Sequence, residues 1–263
     1  MKTTKQLLLI LLTLAWVHTG HAQKATVKSV KLNATSMNKM KVKSSTGCQQ
    51  ISTRIVTGLL RNSVTRSLKV KLDRDDSYVT LMGNTQRFTI PEKEVQGPAR
   101  KWKYYVKDLN SFKSWITFDD KRKQFYLFIE FEGNGSEIKG ECPGCLRRFR
   151  DSRAPDLNWE GKRVAKIHLT PIPYDNSVAF EVDKVELEGK FDLNGPTEFF
   201  LPSLVKFFEN RIKDGIEKQA RAILNSPENK KAMADGMRGT LSMLGLTRVS
   251  SVEITDRNLY VCN

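Results

Sequence analysis

From Trp102 onward the chain alternates apolar and polar residues in the manner of half-buried strands. Phe125, Leu127, Ile129 and Phe131 share one face, while Tyr126, Phe128, Glu130 and Glu132 share the other. Gly133-Asn134-Gly135 predicts a turn, with Ser136 to Gly140 returning as the second strand of a hairpin. Residues 142–162 read as a loop. Ala165, Ile167 and Leu169 then form a strand face, Pro171 to Asn176 a connection, and Val178, Phe180 and Val182 a second face. Val185, Leu187, Gly189 and Phe191 continue the alternation with its parity changed after Val182. One extra residue near Asp183-Lys184 accounts for the change and predicts a β-bulge in a long, curved strand.

After Asn194-Gly195-Pro196 the period becomes helical. Leu204, Phe208, Ile212, Ile216, Ala220 and Ile223 make one stripe, widened by Val205, Phe207 and Leu224. The opposite face carries Lys206, Glu209, Arg211, Lys213, Asp214, Glu217, Lys218 and Arg221, so this is a long amphipathic helix with Pro202 at its start. Ser226 caps a second helix begun by Pro227, with Met233, Met237, Leu241 and Leu244 inward. Residues from Ser251 to Val261 close the chain as a strand or hairpin. Upstream, Ile51, Ile55, Leu59, Leu60 and Val64 favour a helix within Gln49 to Leu72, and short strands follow at Ser77–Met82 and Arg87–Ile90. Pro91, Gly97 and Pro98 mark a break near 91–100. Residues 23–46, rich in Lys, Ser, Thr and Asn, read as a mobile segment. The expected fold is α+β: a strongly twisted antiparallel sheet wrapped around a long amphipathic C-terminal helix, with 47–263 as a single domain.

The first residues change the functional picture. Lys2 and Lys5 precede an apolar run from Leu7 to Val17, and small residues at Gly20 and Ala22 stand before Gln23. These are the parts of a cleavable signal peptide over 1–22, so the expected location is periplasmic or secreted. The run is about half of the roughly 20 residues that a membrane span needs.

The chain carries a formal net charge of +15. Export sets nucleic acid aside as a partner and leaves anionic membrane head groups or cell-wall polymer. Arg147, Arg148, Arg150 and Arg153 form the densest basic cluster and are the candidate contact for such a surface.

Loss of His18 and His21 with the signal leaves one histidine, His168, which excludes zinc sites built on several histidines. Its parity, opposite to Ala165, Ile167 and Leu169, predicts a solvated strand residue rather than a catalytic base. Glu130/Glu132 and Asp119/Asp120 read as strand edges or turns. No nucleotide, metal or phosphate motif is present, so no cofactor and no catalytic residue is assigned.

Cys48, Cys142, Cys145 and Cys262 suit disulfides in an exported chain and allow three connectivities. The reading leans to Cys142–Cys145 and Cys48–Cys262. Cys142-Pro143-Gly144-Cys145 has redox-motif spacing but lacks the preceding strand and following helix of a thioredoxin-type site.

A long curved β-segment, a long amphipathic helix and a closing Val252-Glu253-Ile254-Thr255-Asp256-Arg257-Asn258-Leu259-Tyr260-Val261 together resemble the tubular lipid-binding, bactericidal/permeability-increasing-like superfamily. The resemblance lies in element order over about residues 160–261. It implies a twisted sheet around a long helix, with an apolar groove between them for a lipid or another amphiphile, and no catalytic residues. Phe180, Phe191, Phe200, Leu204, Phe207, Phe208 and Ile212 are the candidate groove residues, or else ordinary core. The function expected is therefore non-enzymatic binding of a lipid or amphiphile. The alternative is an envelope protein that uses its basic surface.

Overall fold

In the computed structural model, residues 47–97, 100–132, 137–145, 154–193 and 201–263 are described. Residues 1–22, read as a signal peptide, residues 23–46, residues 133–135, read as a turn, Arg147, Arg148, Arg150 and Arg153, and Phe200 lie outside them.

Four long antiparallel paths carry the fold. The first is β6 (Lys101–Val106) continued by β7 (Leu109–Asp119), and the second is β8 (Gln124–Glu132) followed by β9 (Ile138–Glu141). The third and fourth are single strands, β10 (Leu157–Tyr174) and β11 (Ser177–Leu193). β8 and β9 both pair with β10 at successive heights, β7 pairs with β8, and β6 with β9. β2 (Lys69–Leu72), β3 (Ser77–Leu81) and β4 (Asn84–Phe88) extend the sheet beside β7, and β5 (Lys93–Gln96) extends it beside β6. The result is a strongly curled, half-barrel sheet of ten strands.

β10 and β11 form a ribbon of 18 and 17 residues, roughly 55 Å long at ~3.3 Å per residue. Two bulges bend it. Ile167 faces Val185 and Leu169 faces Val182, so β11 carries the extra residue at Asp183-Lys184, where the apolar parity changes. Farther along, Glu160 faces Lys190 while Val164 faces Glu188, which puts two extra residues on β10 opposite Gly189. Gly161 and Gly189 there have φ of +76° and +91°, a region that side chains with a Cβ rarely adopt.

Several expectations are corrected. β10 begins at Leu157 inside the segment read as a loop, and Trp159 on it is buried. It also runs through Pro171 and Pro173 to Tyr174. Beyond Leu169 no strand among the described residues pairs with it but β11, so the two prolines, alike in parity, direct their missing N–H groups to the unpaired side. The turn is only Asp175-Asn176, both at positive φ, as a tight hairpin requires. The Ser136–Gly140 segment does not return along β8; β9 pairs instead with β6 and β10. Residues 91–100 contain β5, hydrogen-bonded into the same sheet as its neighbours. Between Gln49 and Leu72 only α1 (Thr53–Val64) is a regular α-helix, flanked by β1 (Cys48–Ser52) and β2.

The C-terminal helical layer is two helices, α2 (Leu201–Leu224) and α3 (Pro227–Met243), not one long rod. The break follows from local chemistry. Ser226 accepts from the Asn229 N–H as N-cap, and Pro227, with no N–H, starts the next helix. Leu204, Phe208, Ile212, Ile216, Ala220 and Ile223 are all at most 1 % exposed, so the stripe of α2 is spent on the core. The helices lie along β11, with α2 also against β3 and β4.

β12 (Ser251–Thr255) and β13 (Asn258–Cys262) make a hairpin, and β1 adds to β13 to complete a separate three-stranded sheet. Cys48 faces Cys262 across it and is disulfide-bonded to it; Cys142 bonds Cys145.

Candidate functional site

The candidate groove residues separate by burial. Phe180, Leu204, Phe208 and Ile212 are 0–1 % exposed and belong to the continuous core, with Phe180 edge-on to Phe125 at 5.4 Å. Phe207 is half-buried beneath two cations, Lys93 and Arg211, at 5.2 and 5.5 Å from its ring. Phe191, 6 % exposed and part of the same core, is the described candidate that lines a recess.

That recess, of about 360 Å³, lies between β11 and α2. Trp159, Val185, Glu186, Leu187, Gly189 and Phe191 line its sheet side. The Trp159 and Phe191 rings stack at 5.0 Å, and the indole N–H donates to the Glu188 carbonyl at 3.0 Å, which fixes the ring pair at the end of the recess. Glu209, Asn210 and Lys213 on α2 form the opposite wall. The wall repeats at helical spacing, for Lys213 sits one turn before Glu217 and Glu209 one turn before Lys213. No hydrogen bond or ion pair engages Asn210, Lys213 or Glu209 among the described residues.

Sequence reasoning identified Val185, Leu187, Gly189 and Phe191 as one strand face. It missed Trp159, placed in a loop, and the polar wall, read as plain outer helix surface. The signal that could have found the wall was the i, i+4, i+8 series Glu209, Lys213, Glu217, set against the strand face after the bulge.

His168 is corrected. It is 5 % exposed, covered by Tyr126, whose ring meets it edge-on at 4.7 Å. Lys166 lies over the Tyr126 ring at 4.1 Å, so long neighbours roof what parity alone assigned to water. The His168 Nε2 lies 3.2 Å from a Glu186 carboxylate oxygen, but without the alignment of a hydrogen bond. Burial outweighs the attraction of the carboxylate and holds His168 below its usual titration range. Glu186 is held down at about 2, mainly by Lys184 at 2.7 Å. The cluster joins three neighbouring strands, with Tyr126 on β8, Lys166 and His168 on β10 and Glu186 on β11.

A second, smaller recess of about 260 Å³ lies between α1 and α3, lined by Leu59, Leu60, Met233 and Met237. Among the described residues no cluster of His, Cys, Asp or Glu has the form of a metal site, and no helix is long and apolar enough to cross a membrane. Comparison with known protein families, with characterised proteins and with solved structures finds no match to this chain.

Proposed function

We propose that this protein is an exported, non-enzymatic binding protein for a lipid or another amphiphile, and that its ligand sits in the recess between β11 and α2. The observation that carries this reading is the two-sided lining. Leu187, with the edges of the buried Trp159 and Phe191 rings, offers an apolar floor, and Glu209, Asn210 and Lys213 offer hydrogen-bonding and charged groups across from it. A ligand with an apolar body and a polar end matches both walls at once. The volume of about 360 Å³ lies in the ~300–1,000 Å³ span of small-molecule sites, whereas the α1/α3 recess falls short of it. The resemblance to the tubular lipid-binding superfamily points the same way, because there too the ligand would lie between sheet and helix.

Native mass spectrometry on protein purified without detergent from a lipid-containing host tests the reading. A bound mass that denaturation releases as phospholipid, fatty acid or another amphiphile is the expected outcome. An apo mass alone, under conditions where a known lipid carrier keeps its ligand, overturns it.

A further inference from the structure

The sheet side of the recess is also the free edge of a strand. Among the described residues β11 pairs only with β10, so half of its backbone N–H and C=O groups point away from the sheet. Nearest the α2–α3 break these groups are satisfied by α2 and by Asn225 just past its end. The Val182 N–H donates to Asn225 and the Val185 N–H to Glu217, both at 3.0 Å, while Arg221 donates to the carbonyls of Val182 and Asp183. Side chains one helical turn apart thus cap the edge in succession.

The capping stops after Val185. By the unbroken register from Val185 to Glu188, the N–H and C=O of Leu187 face the same open side. The orientation of Phe191 follows from its partner. The Trp159 N–H donates to Glu137, and its carbonyl accepts from Arg163, so both groups of Trp159 point away from β11. Trp159 and Phe191 are therefore a non-hydrogen-bonded pair, and the N–H and C=O of Phe191 also face outward. Nothing among the described residues pairs with these groups. The next members of the α2 series, Lys213 and Glu209, line the gap without reaching the strand.

We infer that the ligand of this recess is an extended peptide with alternating apolar residues that adds to β11 as a further strand, gripped on its far side by α2. The inference rests on the recess being the binding site and names the class of amphiphile it takes. An extended peptide supplies donors and acceptors at the two-residue repeat that the edge presents, which an acyl chain does not. Its alternate apolar side chains would meet Leu187 and the edge of the Trp159–Phe191 ring pair. Lys213 and Glu209, both free of any ion pair among the described residues, are placed for a carboxylate and for a cation on the peptide.

Selection of a randomised ten-residue peptide library against the whole chain tests this. The expected products carry alternating apolar residues with polar or charged residues between them. Methylating one alternate set of their amide nitrogens weakens binding at least tenfold, while methylating the other set changes it little. Amide exchange at Leu187 and Phe191 slows when such a peptide is bound. Asn210→Trp, which fills the recess from the helix, abolishes binding, and Lys213→Ala reduces it severalfold. The inference is overturned if no selected peptide distinguishes the wild type from Asn210→Trp, or if binding ignores N-methylation. Oleate is the second probe. Oleate that binds the wild type but not Asn210→Trp, with peptides failing, keeps the recess as a site and removes the peptide. Failure of both probes removes both readings.

Discussion

Replacing Cys48 and Cys262 by serine leaves β1 and β13 paired side by side but unlocks a loop whose ends are 214 residues apart in sequence. In the chain-entropy account the unfolded chain gains about 2.1 + 1.5R ln n cal/mol/K when a loop of n residues is released. For this loop that is roughly 5 kcal/mol at 25 °C, a large fraction of the ~5–15 kcal/mol that holds a typical domain folded. The same expression for Cys142–Cys145, three residues apart, gives only about 1.6 kcal/mol. Urea unfolding followed by circular dichroism measures the difference. With a slope near ~2.5 kcal/mol/M, the urea midpoint of Cys48→Ser/Cys262→Ser falls by about 2 M, and that of Cys142→Ser/Cys145→Ser by about 0.6 M. The reasoning fails if the two double variants lose equal stability, or if opening the long loop moves the midpoint by less than about 0.4 M.

Phe208→Ala empties a fully buried position where α2 meets the sheet and destabilises by about 3–5 kcal/mol, read as a lower urea midpoint. Gly189→Ala sets a Cβ within 2.6 Å of the Lys162 carbonyl and the Trp159 indole nitrogen, at a φ of +91°. It costs upwards of ~1 kcal/mol and disturbs the Trp159–Phe191 stack, visible in tryptophan fluorescence. The folded titration points of His168 and Glu186 both lie below their unfolded ones. The unfolded chain therefore takes up protons first, and stability falls with falling pH. The His168 part sets in as pH drops below its ordinary value of 6.5, and the Glu186 part runs from 4.5 down to about 2. His168→Gln should flatten the stability profile between pH 5 and 7 and leave the more acidic loss in place; an unchanged slope there contradicts the assignment.

What the sequence made legible was whatever repeats over short range. The parity change between Val182 and Val185 marked a bulge, because one inserted residue flips every side chain after it. The stripe from Leu204 to Ile223 marked α2, because six apolar residues at helical period leave few alternatives. The pairing of β9 with β6 was not legible. It joins Lys103 to Glu141 through hydrogen bonds that leave no local trace, whereas the nearby Gly133-Asn134-Gly135 signal spoke for a simple hairpin. His168 misled for a related reason: alternation tells which face a residue takes, but not whether Tyr126 and Lys166 on that face close over it. The recess was hidden most deeply. It exists because the capping series on α2 stops reaching β11 after Glu217, a matter of relative placement, although each of its residues was in plain view.

The disulfide between the first and last strands of the described region also decides how the fold answers force. Asn263 donates its N–H to the Gly47 carbonyl at 2.9 Å, so the two ends of this region leave the molecule side by side. A pull applied between them passes through a single sulfur–sulfur bond and never loads the curled sheet or its helices. Under oxidising conditions the domain behaves as a bead hung from one point on a string. Only after that bond is reduced does tension begin to peel β1 from β13 and reach the core.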